Sequence, residues 1–126
     1  MNRTTALIAT AALVATPLAT LVAASPASAD VTKRGTCAGG SYEFQVERED
    51  GGYEASLDLD RVAPGSRWEL VIRHDGQRAA RVTRTADREG DVDLDVTRRD
   101  TAGQETFRFR ATTAGGVACK GTITVG

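Results

Sequence analysis

The sequence predicts an all-β domain: an antiparallel β-sandwich, immunoglobulin-like in general architecture, with seven to eight strands and one disulfide bond. Apolar and polar residues alternate with a period of two along most of the chain, which is typical of half-buried strands. Turn signals rich in Gly, Pro and Asp recur at nearly regular spacing, and no window sustains a helical period of apolar residues. Two cysteines, Cys37 and Cys119, lie near the ends of this region.

The N-terminal segment, residues 1–29, has the composition of a cleaved signal peptide. A positive start precedes the small, apolar run Ala6–Ala24, and Ala27-Ser28-Ala29 matches a small-x-small cleavage site. We therefore expect cleavage after Ala29 and a secreted domain at residues 30–126, outside the cell or in its envelope. The alternative is a retained membrane helix. The run is about long enough to span, but Pro17 interrupts it and no positive stop-transfer cluster follows directly.

Export changes the interpretation of the two cysteines. In an oxidising compartment an even count favours a disulfide bond, here Cys37–Cys119. The alternative is a metal site, which lacks partners because His74 is the only histidine. We therefore expect a disulfide that brackets the domain, and neither a metal ion nor another cofactor.

The expected strands follow one another with short connections. The first, Asp30–Cys37, is a possible edge strand. The others show the alternation: Ser41–Glu47, Tyr53–Asp60, the two segments of Arg67–Arg84, Asp91–Arg98, Thr106–Thr112 and a last strand in which Val117, Cys119, Ile123 and Val125 share a face. A four-residue loop at Arg48–Gly51 would place Val46 opposite Tyr53. Pro64-Gly65 matches the middle of a type II turn.

The segment Arg67–Arg84 is the centre of the predicted fold. Trp68, Leu70 and Ile72 share one side of its first strand, so we expect them to anchor the core. A two-residue Asp-Gly turn in regular register would put Arg81 on the apolar side. We therefore favour a three-residue loop, His74-Asp75-Gly76, which sets Leu70 opposite Ala80 and Trp68 opposite Val82.

Several short motifs together resemble a group of small secreted actinobacterial proteins with an all-β domain bracketed by two cysteines. They are Arg34-Gly35-Thr36-Cys37, Asp50-Gly51-Gly52, Glu54–Asp60, Trp68, the His74-Asp75-Gly76 hairpin, Asp100–Gly103 and Cys119-Lys120-Gly121. The resemblance implies a secreted β-sandwich and carries no functional site with it. The comparison with immunoglobulin domains is looser, because the two cysteines lie at the ends of the domain rather than on two central strands.

Charge composition argues against nucleic acid and membranes as partners. Cleavage after Ala29 would remove only Arg3 from the sixteen basic residues, leaving fifteen against seventeen acidic ones. Such a near-balance gives no overall attraction to nucleic acid or to an anionic membrane. Aromatic residues also do not interleave with the arginines as they do in single-strand binders.

A catalytic site is not expected. His74 is the one imidazole, and the predicted hairpin tip would expose it to solvent beside Asp75. A nucleophile would have to come from a distant serine, of which the predicted mature chain has only Ser41, Ser56 and Ser66. We therefore interpret His74 as an exposed loop residue and the protein as non-enzymatic.

A row of carboxylates, Asp91, Asp93 and Asp95, repeats at about 6.6 Å along one predicted strand. Such a row could ligate calcium, which takes oxygen ligands. A four-residue loop at Asp100–Gly103, however, would place Asp95 opposite Arg108 and Asp93 opposite Arg110. These cross-strand ion pairs, worth roughly 0.2–1 kcal/mol each, give the acids a sufficient structural role, so no metal site is predicted.

A cluster of arginines on the central hairpin is the basis of the functional hypothesis. Arg73, Arg78, Arg81 and Arg84 lie on the central hairpin and could bind a polyanion such as an acidic envelope polymer. The alternative is a solvated face partly neutralised by the acidic strands of Glu43–Asp60. We expect a secreted binding module whose partner is an envelope polymer or an extracellular protein. The second hypothesis is a small inhibitor of an extracellular hydrolase, which a protruding, rigid Asp60–Arg67 loop would favour.

Overall fold

The structure is a computed structural model that describes residues 30–126. Eight antiparallel strands form two four-stranded sheets, and the described residues contain no helix. Sheet A has the order β1-β2-β3-β6 and sheet B the order β5-β4-β7-β8. The predicted all-β sandwich is therefore confirmed, while the expected signal peptide at 1–29 lies outside the described residues. The strands are β1 (Val31–Cys37), β2 (Gly40–Glu49), β3 (Gly52–Asp60), β4 (Arg67–His74), β5 (Gln77–Thr85), β6 (Val92–Arg99), β7 (Glu105–Thr113) and β8 (Gly116–Val125).

The core lies between the inner faces of the two sheets, where the alternation predicted it. Trp68, Leu70 and Ile72 on β4 are each at most 1% exposed, as expected for core anchors. Phe44 from sheet A packs against Phe109 from sheet B with ring centroids 4.9 Å apart. The indole N–H of Trp68 donates to Ser66 Oγ at 2.8 Å, so its one polar group is satisfied.

The strand order differs from that of an immunoglobulin domain. Sheet A starts with three consecutive strands as a meander, and β6 then joins it beside β3. In immunoglobulin domains the second strand instead neighbours the fifth. The resemblance is therefore to the two-layer architecture and does not extend to the strand order.

The predicted disulfide Cys37–Cys119 is present, with a Cα–Cα distance of 5.2 Å. It joins β1, an edge strand of sheet A, to β8, an edge strand of sheet B. On the opposite side of the sandwich, the edge strands β5 and β6 contact each other. Both open sides of the sandwich are thus closed, one of them covalently.

The central hairpin keeps the predicted faces but not the predicted register. Asp75 and Gly76 both have positive φ, and they form a two-residue turn with His74 opposite Gln77. A bulge next to Ile72 and Arg73 then shifts the register, so that Leu70 pairs with Val82 rather than with Ala80. The bulge therefore resolves the conflict that led us to expect a three-residue loop, because it returns the apolar residues to one side.

Three other register predictions were wrong. Glu49 pairs with Gly52 across a two-residue turn, so Val46 lies opposite Ala55 instead of Tyr53. The β6 and β7 strands do not pair at all, because the chain crosses from sheet A to sheet B between them. A bulge near Ala111 turns Val117 to the outer face, where it is 53% exposed.

Candidate anion-binding site

The outer face of sheet B carries six cationic side chains, which we call the basic face: Arg73, Arg78, Arg81, Arg108, Arg110 and Lys120. All six are exposed. They come from four different strands, because outward positions on β4, β5, β7 and β8 meet at the same level of the sheet. Because side chains alternate along each strand, these residues point outward. Arg108, for example, points outward while its neighbours Phe107 and Phe109 enter the core.

The six cations occupy two adjacent rungs, where a rung is a row of residues that lie directly opposite one another on neighbouring strands. In the first rung Arg73 lies directly opposite Arg78 on one side and Arg108 on the other. In the second rung Arg110 lies opposite Val71 and Lys120, and Arg81 lies on the far side of Val71. Directly opposed residues have Cα atoms about 4.5–5.5 Å apart, and like charges at that distance destabilise a sheet. The basic face is therefore a site of unneutralised charge.

One acid on this face offsets the charge only locally. Glu69 accepts an ion-paired hydrogen bond from Arg81 at 3.0 Å. Both side chains are substantially exposed, so the pair contributes little to stability. Among the ion pairs of residues 30–126, none engages the other five cations of the basic face.

The structure brings together three of the four arginines predicted as a polyanion site. Arg73, Arg78 and Arg81 belong to the basic face, whereas Arg84 pairs with Trp68 in register and so projects from the other side of β5. The prediction missed Arg108, Arg110 and Lys120. Alternation with Phe107 and Phe109 indicated that the two β7 arginines point outward, but the sequence did not reveal that β7 lies beside β4.

The outer face of sheet A has the opposite charge. We call six of its acids the acidic face: Glu43, Glu47, Glu54, Asp58, Asp93 and Asp95. The pairing predicted for the last two was wrong: Asp93 lies opposite Asp58, and Asp95 lies opposite Ser56. Across β2 and β3, Glu43 lies opposite Asp58 and Glu47 opposite Glu54. Acid therefore faces acid on one side of the molecule, as arginine faces arginine on the other.

Asp58 shows the electrostatic consequence on the acidic face. Partial burial, and then the negative charges of Asp95, Asp93 and Glu43, raise the pKa of its carboxyl above the ordinary value for aspartate. Arg34 pairs with Glu43 at 3.3 Å and is the one cation that forms an ion pair on this face among the described residues.

His74 is not the exposed loop residue that we expected. It is the last residue of β4, continues the inward parity of Ile72 and is 5% exposed. Its ring stacks on Phe107 with centroids 4.4 Å apart, and its Nε2 lies 2.9 Å from Oε1 of Glu105, which is fully buried. The only imidazole is thus engaged inside the sandwich.

Glu105 fixes the connection between β6 and β7. Its Oε1 accepts hydrogen bonds from the backbone N–H of Thr101 at 2.9 Å and from the Thr101 hydroxyl at 3.0 Å. Burial opposes ionisation of Glu105, but the bonds from Thr101 and His74 outweigh it and lower the pKa of the carboxyl. This cluster explains two polar residues in the core as an anchor for the crossover between sheets.

The row of acids considered for calcium is interrupted in the structure. Asp91 lies in the connection before β6, so it does not continue the row of Asp93 and Asp95 that we considered for calcium. Three exposed acids there, Asp87, Glu89 and Asp91, approach one another, but Asp87 Oδ1 already accepts the N–H groups of the other two at 3.0 and 2.9 Å.

The connection proposed as an inhibitory loop is held against the connection between β5 and β6. Backbone hydrogen bonds tie it to residues 86–90: Val62 N–H donates to Gly90 O at 3.1 Å and Gly65 N–H to Ala86 O at 3.0 Å. Val62 is 2% exposed. The predicted type II turn is present, with Gly65 at φ 78° and Ser66 N–H donating to Ala63 O at 3.0 Å.

Comparisons with family models, curated proteins and solved structures find no match to this chain. Among residues 30–126 the structure contains no helix with the length and apolar character that a membrane crossing requires. The two charged faces are therefore the features of the described residues from which a function can be inferred.

Proposed function

We propose that this protein is an exported, non-enzymatic binding module that engages an anionic polymer of the cell envelope or extracellular space through the basic face. One observation carries the proposal: Arg73 lies directly between Arg78 and Arg108, with no acid in that rung. A sheet gains nothing in stability from this arrangement. A bound polyanion would neutralise it.

The chemistry of the face suits a repeating anion. Five of its six cations are arginines, whose planar guanidinium groups bind phosphate or carboxylate in a bidentate manner. The cations repeat both across the rung and along β7, where Arg108 and Arg110 are about 6.6 Å apart. Several weak contacts made by one chain add through high local concentration, so a flat face suffices without a deep pocket.

Two further features support export and binding. A disulfide is typical of proteins in oxidising compartments, which agrees with the signal peptide expected at 1–29. The one histidine is held between Phe107 and Glu105, which leaves the exposed surface without an imidazole base. The inhibitor remains the second hypothesis, and its supporting feature is a loop that backbone hydrogen bonds to Gly90 and Ala86 hold in place.

The test compares retention on immobilised linear polyphosphate and on immobilised polyglutamate. We expect the wild type to bind both at low salt and to elute at moderate salt, because the interaction depends on charge. The variant Arg73→Glu/Arg108→Glu should elute at clearly lower salt. The control Arg84→Glu/Arg88→Glu makes the same change in net charge outside the basic face and should elute close to the wild type.

Circular dichroism of each variant establishes that the fold is retained before the comparison is made. Equal elution of the two double variants would refute the proposal, since retention would then reflect net charge alone. Failure of the wild type to bind either polymer at low salt would refute it as well.

A further inference from the structure

The two charged faces lie on opposite sides of one rigid sandwich. From this we propose that the protein self-associates head to tail, with the acidic face of one copy docked on the basic face of the next. The inference goes beyond polymer binding: it assigns a partner, a second copy of this chain, to the acidic face, for which polymer binding has no use.

Charge complementarity is the first argument. The acidic face presents a rung of three acids, Glu43, Asp58 and Asp93, on three adjacent strands. The basic face presents a rung of three arginines, Arg78, Arg73 and Arg108, also on three adjacent strands. Adjacent strands are about 4.8 Å apart in any sheet, so the two rungs have the same repeat. Guanidinium groups and carboxylates at matching spacing can form several bidentate pairs at once.

Relief of repulsion is the second argument. Each face alone opposes like charges, as Arg73 and Arg108 show on one side and Asp58 and Asp93 on the other. Burial is the first cause of the raised pKa of Asp58, and the neighbouring charges of Asp95, Asp93 and Glu43 add to it. Docking places an opposite charge above each crowded group, so one contact relieves both faces.

Geometry determines the form and strength of the assembly. The acidic and basic faces belong to different sheets of the sandwich, so the contact is heterologous and does not close in a pair; copies would add in a row. Four strands of seven to ten residues give a face of about 500 Å², and about 1,000 Å² buried in total is near the lower limit for a specific interface. We therefore expect weak, concentration-dependent association that weakens with salt.

The test is sedimentation of the mature protein over a range of concentrations. The weight-average mass of the wild type should rise with concentration at about 20 mM salt and much less at about 150 mM, where charges are screened more strongly. Asp58→Asn/Asp93→Asn disables the acidic face, and Arg73→Gln/Arg108→Gln disables the basic face. Each variant alone should associate at least about tenfold more weakly than the wild type, because several charge pairs are lost together.

Mixing the two variants gives the decisive measurement. The first retains an intact basic face and the second an intact acidic face, so an equimolar mixture contains one wild-type interface per pair. We expect the mixture to form 1:1 pairs and no longer species. The control Asp87→Asn/Glu89→Gln makes the same change in net charge as Asp58→Asn/Asp93→Asn, but outside both faces, and should associate as the wild type does. Circular dichroism of each variant establishes that the fold is retained.

A wild type that remains monomeric at low salt and high concentration would overturn this inference, as would a mixture of the two variants that does not pair. The outcome is separable from polymer binding. Asp58→Asn/Asp93→Asn leaves the basic face intact and adds no cation, so its retention on polyphosphate tests polymer binding while its loss of self-association tests the association of copies. If self-association fails and polyphosphate retention persists, only the present inference is lost.

Discussion

Replacing Arg73 by threonine should stabilise the protein while weakening its binding to polyanions. Arg73 lies opposite Arg78 on one side and Arg108 on the other, so its removal relieves two like-charge pairs. Each such pair is worth roughly 0.2–1 kcal/mol. Arg73 donates one long hydrogen bond, 3.4 Å, to the carbonyl of Gly76, which offsets little because the site is exposed. Threonine also suits a strand.

The net gain expected for Arg73→Thr is about 0.5–1.5 kcal/mol in the free energy of unfolding at low salt. For a domain of this size that corresponds to a rise in Tm of about 3–8 °C. Urea titration and thermal melts at low and high salt measure it, and the gain should shrink as salt screens the repulsion. Arg84→Thr is the matched control, because Arg84 lies opposite Trp68 and has no cation opposite it.

The reasoning fails if Arg73→Thr is no more stable than Arg84→Thr at low salt. It also fails if the gain is the same at high salt, since it would then come from strand propensity rather than from charge. A confirmed gain in stability, together with weaker retention on polyphosphate, would mean that Arg73 is retained for binding at the expense of stability.

Three further predictions concern the interior. The mature protein should be about 2 Da lighter than its dithiol form, and Cys37→Ala/Cys119→Ala should lose about 4.5 kcal/mol of unfolding free energy in the chain-entropy model for a separation of 82 residues, measured by urea titration. Trp68, 1% exposed, should fluoresce at a blue-shifted wavelength, and Trp68→Ala should cost about 3–5 kcal/mol; a solvent-like emission maximum would contradict this. Glu105→Ala should cost about 1–3 kcal/mol because it leaves His74 and the backbone N–H of Thr101 without their hydrogen-bond partner. The folded pKa of Glu105 is lowered, so the contribution of its ionised carboxylate to the free energy of unfolding should be complete above the unfolded pKa of about 4.3. This contribution should decline as the pH falls through the folded value. Unfolding titrations of Glu105→Gln at different pH values should not show this loss.

The sequence predicted which side of each strand faces the core far better than which residues lie opposite each other. A shift of two residues leaves every side chain on its original face, so alternation cannot distinguish Val46 opposite Tyr53 from Val46 opposite Ala55. The bulge in the central hairpin was hidden for the same reason: it restores the faces of Leu70 and Val82 after a turn that alone would have reversed them.

The candidate site depended on information that local patterns do not contain. The connection after β6 is as short as a hairpin loop, yet it crosses between the sheets, so Arg108 lies beside Arg73 rather than opposite Asp95. The alternation along β4 also places His74 on the inward side, two residues after Ile72, although we expected His74 to be exposed. The parity of Phe107 and Phe109 likewise points back to Glu105, so two polar residues at the ends of apolar faces were a readable signal for the buried pair.

The position of the disulfide has a consequence for proteolysis. All seven connections between strands lie between Cys37 and Cys119 in the sequence. A single cut in any of them therefore leaves the two pieces covalently joined, and each stays at the high local concentration that a tether provides. A molecule nicked by an extracellular protease would keep its strands in place and migrate as one species until its disulfide is reduced.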